Sequence, residues 1–448
     1  MEITLDKKSN IEGLIKIKLT EGDYQPHVEE KVRDFAKKAN IKGFRPGKVP
    51  TGVIKRLYGK SILVDEINHL LTHKISDYIR DNNLRILGDP IPNQEQSLAI
   101  DWDAQKEFEF EYQVGMVDDF KYELSDKVKI QAYRIEADDK AVEETVTDLK
   151  KRFGKVSYPE ASEAGDNLSG TISQKDGDFN REFAYIAIDN VEKKEQKKFI
   201  GVKKDDVVTF DVDKVFGDKA EKARMLGLSE EEAETVSGKF DFTVTSVSRI
   251  EPAAADQELF DRVFGKDTVS TEEEFINKVR QTIGENYQRE SDQFTEHLIE
   301  DYLLKHTTID LPVEFLRSWL KTTGEGKVTD EVLDKEFESY RRGLVWDLIK
   351  NKIAEDHKIS VETEEVRDKA KDLIVAQFGG QAFVDQIKDK LDGIADNYLY
   401  NEDGKNYMKI FRQLRDEKII GFIREKIKIS EKKVNADEFR KIASSHVH

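Results

Sequence analysis

Ile15, Ile17 and Leu19 alternate with Lys16 and Lys18, the period of two that predicts a half-buried strand. After Pro26 the spacing changes, and Val28, Val32, Phe35, Ala36 and Ala39 fall on one face of a helix with the basic residues mostly off it. Gly43-Phe44-Arg45-Pro46-Gly47-Lys48-Val49-Pro50 then brings two Gly and two Pro, which no helix carries through, so a projecting loop is expected. Helical spacing resumes with Val53, Ile54 and Leu57 and runs on through Ile62, Val64, Ile67, Leu70, Leu71, Ile75 and Ile79. Phe108, Phe110, Tyr112 and Val114 alternate with Glu107, Glu109, Glu111 and Gln113, a strand with one dry face. These pieces make an α+β domain ending near Met116. Val128, Ile130, Ala132 and Tyr133 predict a further extended piece, and Val142, Val146 and Leu149 share one face of a helix from Asp138 to Phe153.

The pattern shifts at Tyr158-Pro159-Glu160-Ala161-Ser162. From Leu168 to Ile250, short alternating runs such as Phe183 to Ile188, Val207 to Val212 and Phe240 to Val244 are separated by Gly, Asp and Lys turns. They predict a small, mostly β domain with an inserted helical patch from Ala220 to Thr235. Past Glu251-Pro252-Ala253-Ala254-Ala255 the chain reads as helix to its end. Ser270 with Glu273 fits a capping box, and the helix it opens carries Phe275, Val279, Ile283, Tyr287, Phe294, Leu298 and Tyr302 along one drifting stripe. Pro312 starts another element; Leu344, Val345, Leu348, Ile349 and Ile353 mark a further helix, and Phe411, Leu414, Ile419, Ile420 and Ile423 one more.

Composition narrows what these elements can do. A chain of 448 residues exceeds one core, and 37% charged against 38% apolar suits an extended, helix-rich protein with a large surface. The absence of cysteine excludes disulfides, thiolate metal sites and Cys nucleophiles, and fits a reducing compartment. With no leader-like N-terminus and no run of eighteen apolar residues, the chain reads as cytoplasmic, with no membrane partner.

Charge adds the sharpest feature. The whole chain carries −18, yet Lys31 to Lys60 holds ten basic residues against one acid, Asp34. A solvated helix face is the ordinary meaning of a charge run, but such a surface mixes its signs. This run is nearly single-signed and flanks a loop whose tip holds an aromatic. Arg45 and Lys48 can engage phosphates or acidic protein groups while Phe44 fills a pocket on a partner. The loop is not a P-loop: Gly43 and Gly47 enclose three residues instead of four, and Val49 follows Lys48 where Ser or Thr is needed. No other nucleotide fingerprint occurs, so function without ATP or another cofactor is expected. His69 and His73 have the spacing of a metal pair but no third ligand in view, and the tail histidines His446 and His448 are no better supplied. No metal site is expected, and nothing like a nucleophile elbow is present.

The loop from Gly43 to Pro50, set between two helices of an N-terminal α+β domain, resembles the ribosome-docking signature of bacterial trigger factor. Arg56-Leu57-Tyr58-Gly59 follows it as in that family, Ile309-Asp310-Leu311-Pro312 is similar to the family's Ile-Asp-Val-Pro, and the order of parts matches over essentially the whole chain. The resemblance implies a multidomain α+β protein. Residues 1–117 would form the ribosome-binding domain, and 118–160 a linker strand and helix packed with the C-terminal domain. An FKBP-like, β-rich domain would cover 161–250 and a large helical, two-armed chaperone domain 251–448. It further implies an ATP-independent chaperone that docks beside the exit tunnel of the large ribosomal subunit, on ribosomal protein and rRNA, through Gly43, Phe44, Arg45, Pro46, Gly47 and Lys48. Nascent and unfolded chains would be held by the helical domain, with Phe315, Trp319, Tyr340, Trp346, Phe378, Phe383, Tyr398 and Tyr400 as candidate contacts. For each of these the competing reading is ordinary helix packing. Members of the family can also dimerise off the ribosome.

One departure stands out. In most trigger factors the middle domain resembles FK506-binding proteins and isomerises prolyl bonds in an aromatic pocket bordered by an Ile-Pro-Gly-Phe-Glu-like segment. Here no proline lies between Pro159 and Pro252, and the nearest equivalent, Lys197-Lys198-Phe199-Ile200-Gly201-Val202-Lys203, is shortened and lacks its Glu. Leu168-Ser169-Gly170-Thr171-Ile172 likewise lacks the family's aromatic and acid. Catalysis rests on an apolar cradle that favours the twisted amide, so a degenerate pocket near Phe199 and Ile200 is expected to leave weak or absent activity. The alternative is a working peptidyl-prolyl cis-trans isomerase acting on nascent chains.

Overall fold

A computed structural model describes residues 1–45, 47–324, 326–378 and 390–446. They form two compact units, Met1–Ala132 with Thr295–Ser430, and Tyr133–Phe294 with Glu431–His448.

The first unit begins with a four-stranded antiparallel sheet of Glu2–Lys7, Glu12–Leu19, Phe108–Met116 and Ile86–Pro92, in that spatial order. Ile15, Ile17, Leu19, Phe108, Phe110 and Val114 point to one face and are buried under the helices Glu21–Lys38 and Thr51–Asp81. The alternation thus gives the two central strands and, through Ile3 and Leu5, the outer strand Glu2–Lys7, but the other outer strand escapes it. Ile86–Pro92 carries Gly88, Pro90 and Pro92 and shifts register between Leu87 and Ile91, as an edge strand tolerates and a central one does not. The first helix starts at Glu21, five residues before Pro26, because the Thr20 N–H donates to the Asp23 carboxylate at 2.8 Å and closes its first turn.

Helices from the far end of the chain complete this unit: the last part of Glu272–His306, then Val313–Thr323, Asp330–Asp356, Thr363–Phe378, Leu391–Tyr400 and Lys405–Lys426. Ile299, Leu303, Ile349, Ile353, Ile419 and Ile423 share one core, into which Leu87 and Phe120 of the N-terminal part also pack. Helix Val313–Thr323 lies against the sheet so closely that a Cβ at Gly115 would collide with the Phe315 ring, and one at Gly88 would sit 2.7 Å from Trp319. Gly115→Ala is expected to cost about 1–3 kcal/mol by overpacking. Urea unfolding followed by tryptophan fluorescence tests this, since Trp102, Trp319 and Trp346 all belong to this unit.

One stretch departs from the helical reading of the C-terminal region. Lys428–Val434 is a strand paired with Lys129–Ile135. The Lys428 N–H donates to the Val128 carbonyl at 2.9 Å and the Glu136 N–H to the Val434 carbonyl at 3.0 Å. Its Lys/Glu-rich sequence has no alternation to betray it; its partner strand makes it extended.

In the second unit, helix Asp139–Arg152 packs through Val142 against Leu259, Phe260, Phe275 and Val279, with the Phe260 and Phe275 rings stacked at 4.8 Å. The long helix Glu272–His306 is capped one residue later than Ser270 with Glu273 predicted. The Glu274 N–H donates to Thr271 Oγ1 at 3.2 Å, and its carboxylate accepts from the Ser270 N–H at 2.8 Å. The β-rich part has Lys155–Ser157, Lys239–Glu251, Asn167–Gln174 and Asn180–Ala187 in that order, with Val207–Asp211 also paired to Lys239–Glu251. Its inner face is filled by Phe199, Phe210, Phe240 and Phe242. The expected helical patch is two helices, Lys219–Leu226 and Glu230–Thr235, broken where Gly227 takes a φ of +68° that other residues resist.

Candidate functional site

The loop between the two N-terminal helices is rooted on both sides. Ile41 packs partly buried against the domain core and Val49 is buried in it. Between them the Phe44 N–H donates to the Ile41 carbonyl at 3.0 Å and the Lys48 N–H to the Arg45 carbonyl at 2.9 Å, two tight turns in succession. Gly43 and Gly47 take φ of +98° and +78°, which such turns require of glycine. The result is that Lys42, Gly43, Phe44, Arg45, Gly47 and Lys48 are all exposed, with no core position for the Phe44 ring. Pro46 lies outside the described residues.

The basic run divides in two. Lys31 pairs with Glu66 at 3.2 Å, Lys37 with Asp34 at 2.9 Å, Lys55 with Glu29 at 3.7 Å and Lys60 with Asp103 at 2.7 Å. Lys37 also holds the Asp34 carboxyl below its usual range. Arg33, Lys38, Lys42, Arg45, Lys48 and Arg56 are exposed and make no ion pair among the described residues. All three cations from Lys42 to Lys48 are in the unpaired set. Two features of this surface depart from the hydrophobic pattern. Phe35, expected on the buried face of its helix, is 39% exposed with its ring 5.1 Å from that of Tyr58, and Leu57 beside it is exposed as well. The helical period places Phe35 next to Val32 and Ala36, but only those two enter the core, and Phe35 stays at its rim against Tyr58 of the second helix.

The candidate client-contact residues are scattered. Phe315 is buried against the N-terminal sheet, and Trp319, Tyr340 and Trp346 are half-buried on their helices. The Lys350 Nζ sits 5.7 Å over the Trp346 ring, and burial raises the Tyr340 hydroxyl pKa. Tyr398 and Tyr400 are exposed, Tyr400 stacked on Tyr407 at 5.8 Å. The Phe378 side chain and Phe383 lie outside the described residues. Exposed Ile394 lies on the same helix as Tyr398 and Tyr400, and exposed Leu373 and Met408 on the helices Thr363–Phe378 and Lys405–Lys426 that share a core with it. A sequence search restricted to aromatics could not find them.

In the β-rich domain Phe199 is fully buried, 5.4 Å from Phe210, whereas Ile200 is exposed. The segment is stitched down by Ser162, whose hydroxyl donates to the Phe199 carbonyl at 2.6 Å and accepts from the Val202 N–H at 3.0 Å. The rings of His69 and His73 lie 4.6 Å apart. Among the described residues no group of three or more metal-ligating side chains is assembled, and no helix is long and apolar enough to cross a membrane.

Three family models match the chain in succession. Residues 1–149 match "Bacterial trigger factor protein (TF)", 156–252 "Probable trigger factor, FKBP-like domain" and 291–443 "Probable trigger factor, C-terminal domain". A similar curated protein is the trigger factor of Pelagibacter ubique (strain HTCC1062), 21% identical over all of this chain and 90% of that one. Another, from Francisella tularensis subsp. novicida (strain U112), is 25% identical over 87% of this chain and 89% of its own. Among solved structures, one of the trigger factor chaperone aligns with 94% of this chain and 99% of that chain at 16% identity and a TM-score of 0.43.

Proposed function

Because the chain belongs to the trigger factor family, its three domain models following one another from residue 1 to residue 443, we propose that it is an ATP-independent chaperone that docks on the large ribosomal subunit through the Gly43 to Pro50 loop and shields nascent chains in the cytoplasm. The observation that carries this is the loop itself: an exposed aromatic and cations with no ion pair among the described residues, held on glycine-built turns above a buried root, in a chain that is otherwise acidic. With its basic run contributing +9 of a total of −18, the rest of the chain carries −27 and repels a polyanion, so the loop also orients the approach. Cosedimentation with ribosomes tests the reading. Binding is expected to weaken steadily as salt rises, because cation contacts to phosphates release counterions.

Client shielding has a separate support, the exposed Tyr398, Tyr400, Leu373, Ile394 and Met408 on the C-terminal helices. Such dispersed apolar side chains suit weak contacts with many unfolded chains better than one specific partner. The chain is expected to suppress aggregation of a chemically unfolded protein without ATP, as measured by light scattering.

In the same reading the middle domain is a scaffold with little or no prolyl isomerase activity. The support is that Phe199, the aromatic nearest the family's pocket segment, is wholly buried against Phe210, so that ring lines no open cradle. Isomerisation of a prolyl peptide in a protease-coupled assay is expected to stay near its uncatalysed pace of tens to hundreds of seconds. A rate matching that of active FKBP-like enzymes would establish the isomerase alternative instead.

A further inference from the structure

We propose that Phe35 and Tyr58, on the two helices below the loop, form a second contact that receives unpaired RNA bases; this rests on the docking reading and extends its footprint. Phe35 and Tyr58 are 39% and 41% exposed, their ring centroids 5.1 Å apart at a tilt of 46°, and Leu57 is 53% exposed next to them. Each ring therefore packs on the other yet keeps an open side. On a helix, positions three and four apart share a face. That places Lys38 and Lys31 beside Phe35 and Lys55 beside Tyr58. Of these, Lys38 makes no ion pair among the described residues, whereas Lys31 and Lys55 are paired; Arg33, Lys42 and Arg56 are further cations of the same basic run with no ion pair among the described residues. The acids nearest in sequence are already engaged: Asp34 by Lys37, Glu29 by Lys55 and Glu66 by Lys31.

Exposed aromatic rings in a strongly basic stretch are the arrangement that binds single-stranded nucleic acid, with bases stacking on the rings and phosphates meeting the cations. A protein partner calls for the opposite surroundings, since the centre of a protein interface is depleted of charge. Double-stranded RNA offers no free base faces, so the occupant is a loop or bulge of ribosomal RNA close to where the Phe44 tip lands.

The test is photocrosslinking of the full-length chain to ribosomes, with a benzophenone amino acid replacing Tyr58 in one variant and Phe44 in another. An adduct at position 58 that ribonuclease digests is expected. A ribonuclease-resistant adduct, which is a protein contact, overturns the proposal. So does the absence of an adduct at position 58 when position 44 gives one, and that outcome leaves loop docking intact. Absence at both positions removes the docking reading and this inference together. In parallel, Phe35→Ser with Tyr58→Ser is expected to weaken ribosome affinity at least roughly tenfold, with an unchanged tryptophan-monitored unfolding midpoint. Unchanged affinity overturns the proposal.

Discussion

Replacing Phe44, Arg45 and Lys48 together by alanine is expected to abolish cosedimentation with ribosomes and leave the fold untouched. All three side chains are exposed, and neither cation takes part in an ion pair among the described residues, so removing them takes nothing from the core. Gly43, Gly47 and the buried Val49 remain to shape and root the loop. A small exposed loop must dock through few contacts, and in such interfaces an aromatic anchor with its charged neighbours carries most of the affinity. Losing all three is expected to weaken binding by at least about a hundredfold. Aggregation suppression and the urea midpoint are expected to match the unmodified chain. If the variant still pellets with ribosomes, the assignment of the loop is wrong.

The second large effect is on the stability of the β-rich domain. Asp166 is only 1% exposed and accepts two parallel hydrogen bonds from Arg249, both at 2.8 Å, and a third from the Glu163 N–H at 2.7 Å. It stands just before strand Asn167–Gln174, while Arg249 lies near the end of strand Lys239–Glu251, so the pair ties together two neighbouring strands. Asp166→Ala removes a fully satisfied carboxylate and leaves a bound guanidinium with Glu163 alone as its partner, at 3.0 Å. Hydrogen bonds to charged groups put the expected loss at about 2–3 kcal/mol. No tryptophan lies in this domain. Hydrogen exchange of the full chain is therefore the measurement, with protection expected to fall in 167–174 and 239–251 and to hold in 12–19 and 108–116. The bonded Arg249 guanidinium keeps the Asp166 carboxyl below its usual range. A depressed carboxylate contributes fully above the unfolded pKa of about 3.9 and progressively less as pH falls below it. The gap between wild type and variant should narrow in acid, and a gap independent of pH would show that the pair is not its source.

What could be read from the residues follows a physical division. Strands Glu12–Leu19 and Phe108–Met116 alternate because one face is buried and the other wet, so they announce themselves. The loop does so too, since glycine and proline act on the backbone they occupy. Lys428–Val434 is invisible because its conformation is imposed by residues far away in the chain, and Ile86–Pro92 because an edge position excuses its prolines. For the candidate site, residue type marks Phe44, Arg45 and Lys48, but only packing separates Phe35, exposed, from Val32, buried one turn earlier on the same helix. Phe315 and Tyr400 make the same point for the helical region: both are aromatic and helical, one buried beneath the N-terminal sheet and the other open to solvent.

The interleaving of the two units has a consequence for how the protein itself is made. Strand Lys129–Ile135 must wait for Lys428–Val434, and the contact that joins Ser430 to Ile130 spans 300 residues. At ordinary synthesis rates of about 5–20 residues per second, that delay is roughly 15–60 s. During it the N-terminal sheet can fold from strands that all lie before Val117, yet its surface around Gly88 and Gly115 has no helix to cover it, and an unpaired strand edge stands open behind it. The emerging chain therefore resembles the incomplete polypeptides it is proposed to protect. A copy already seated on the ribosome would be well placed to receive the next one.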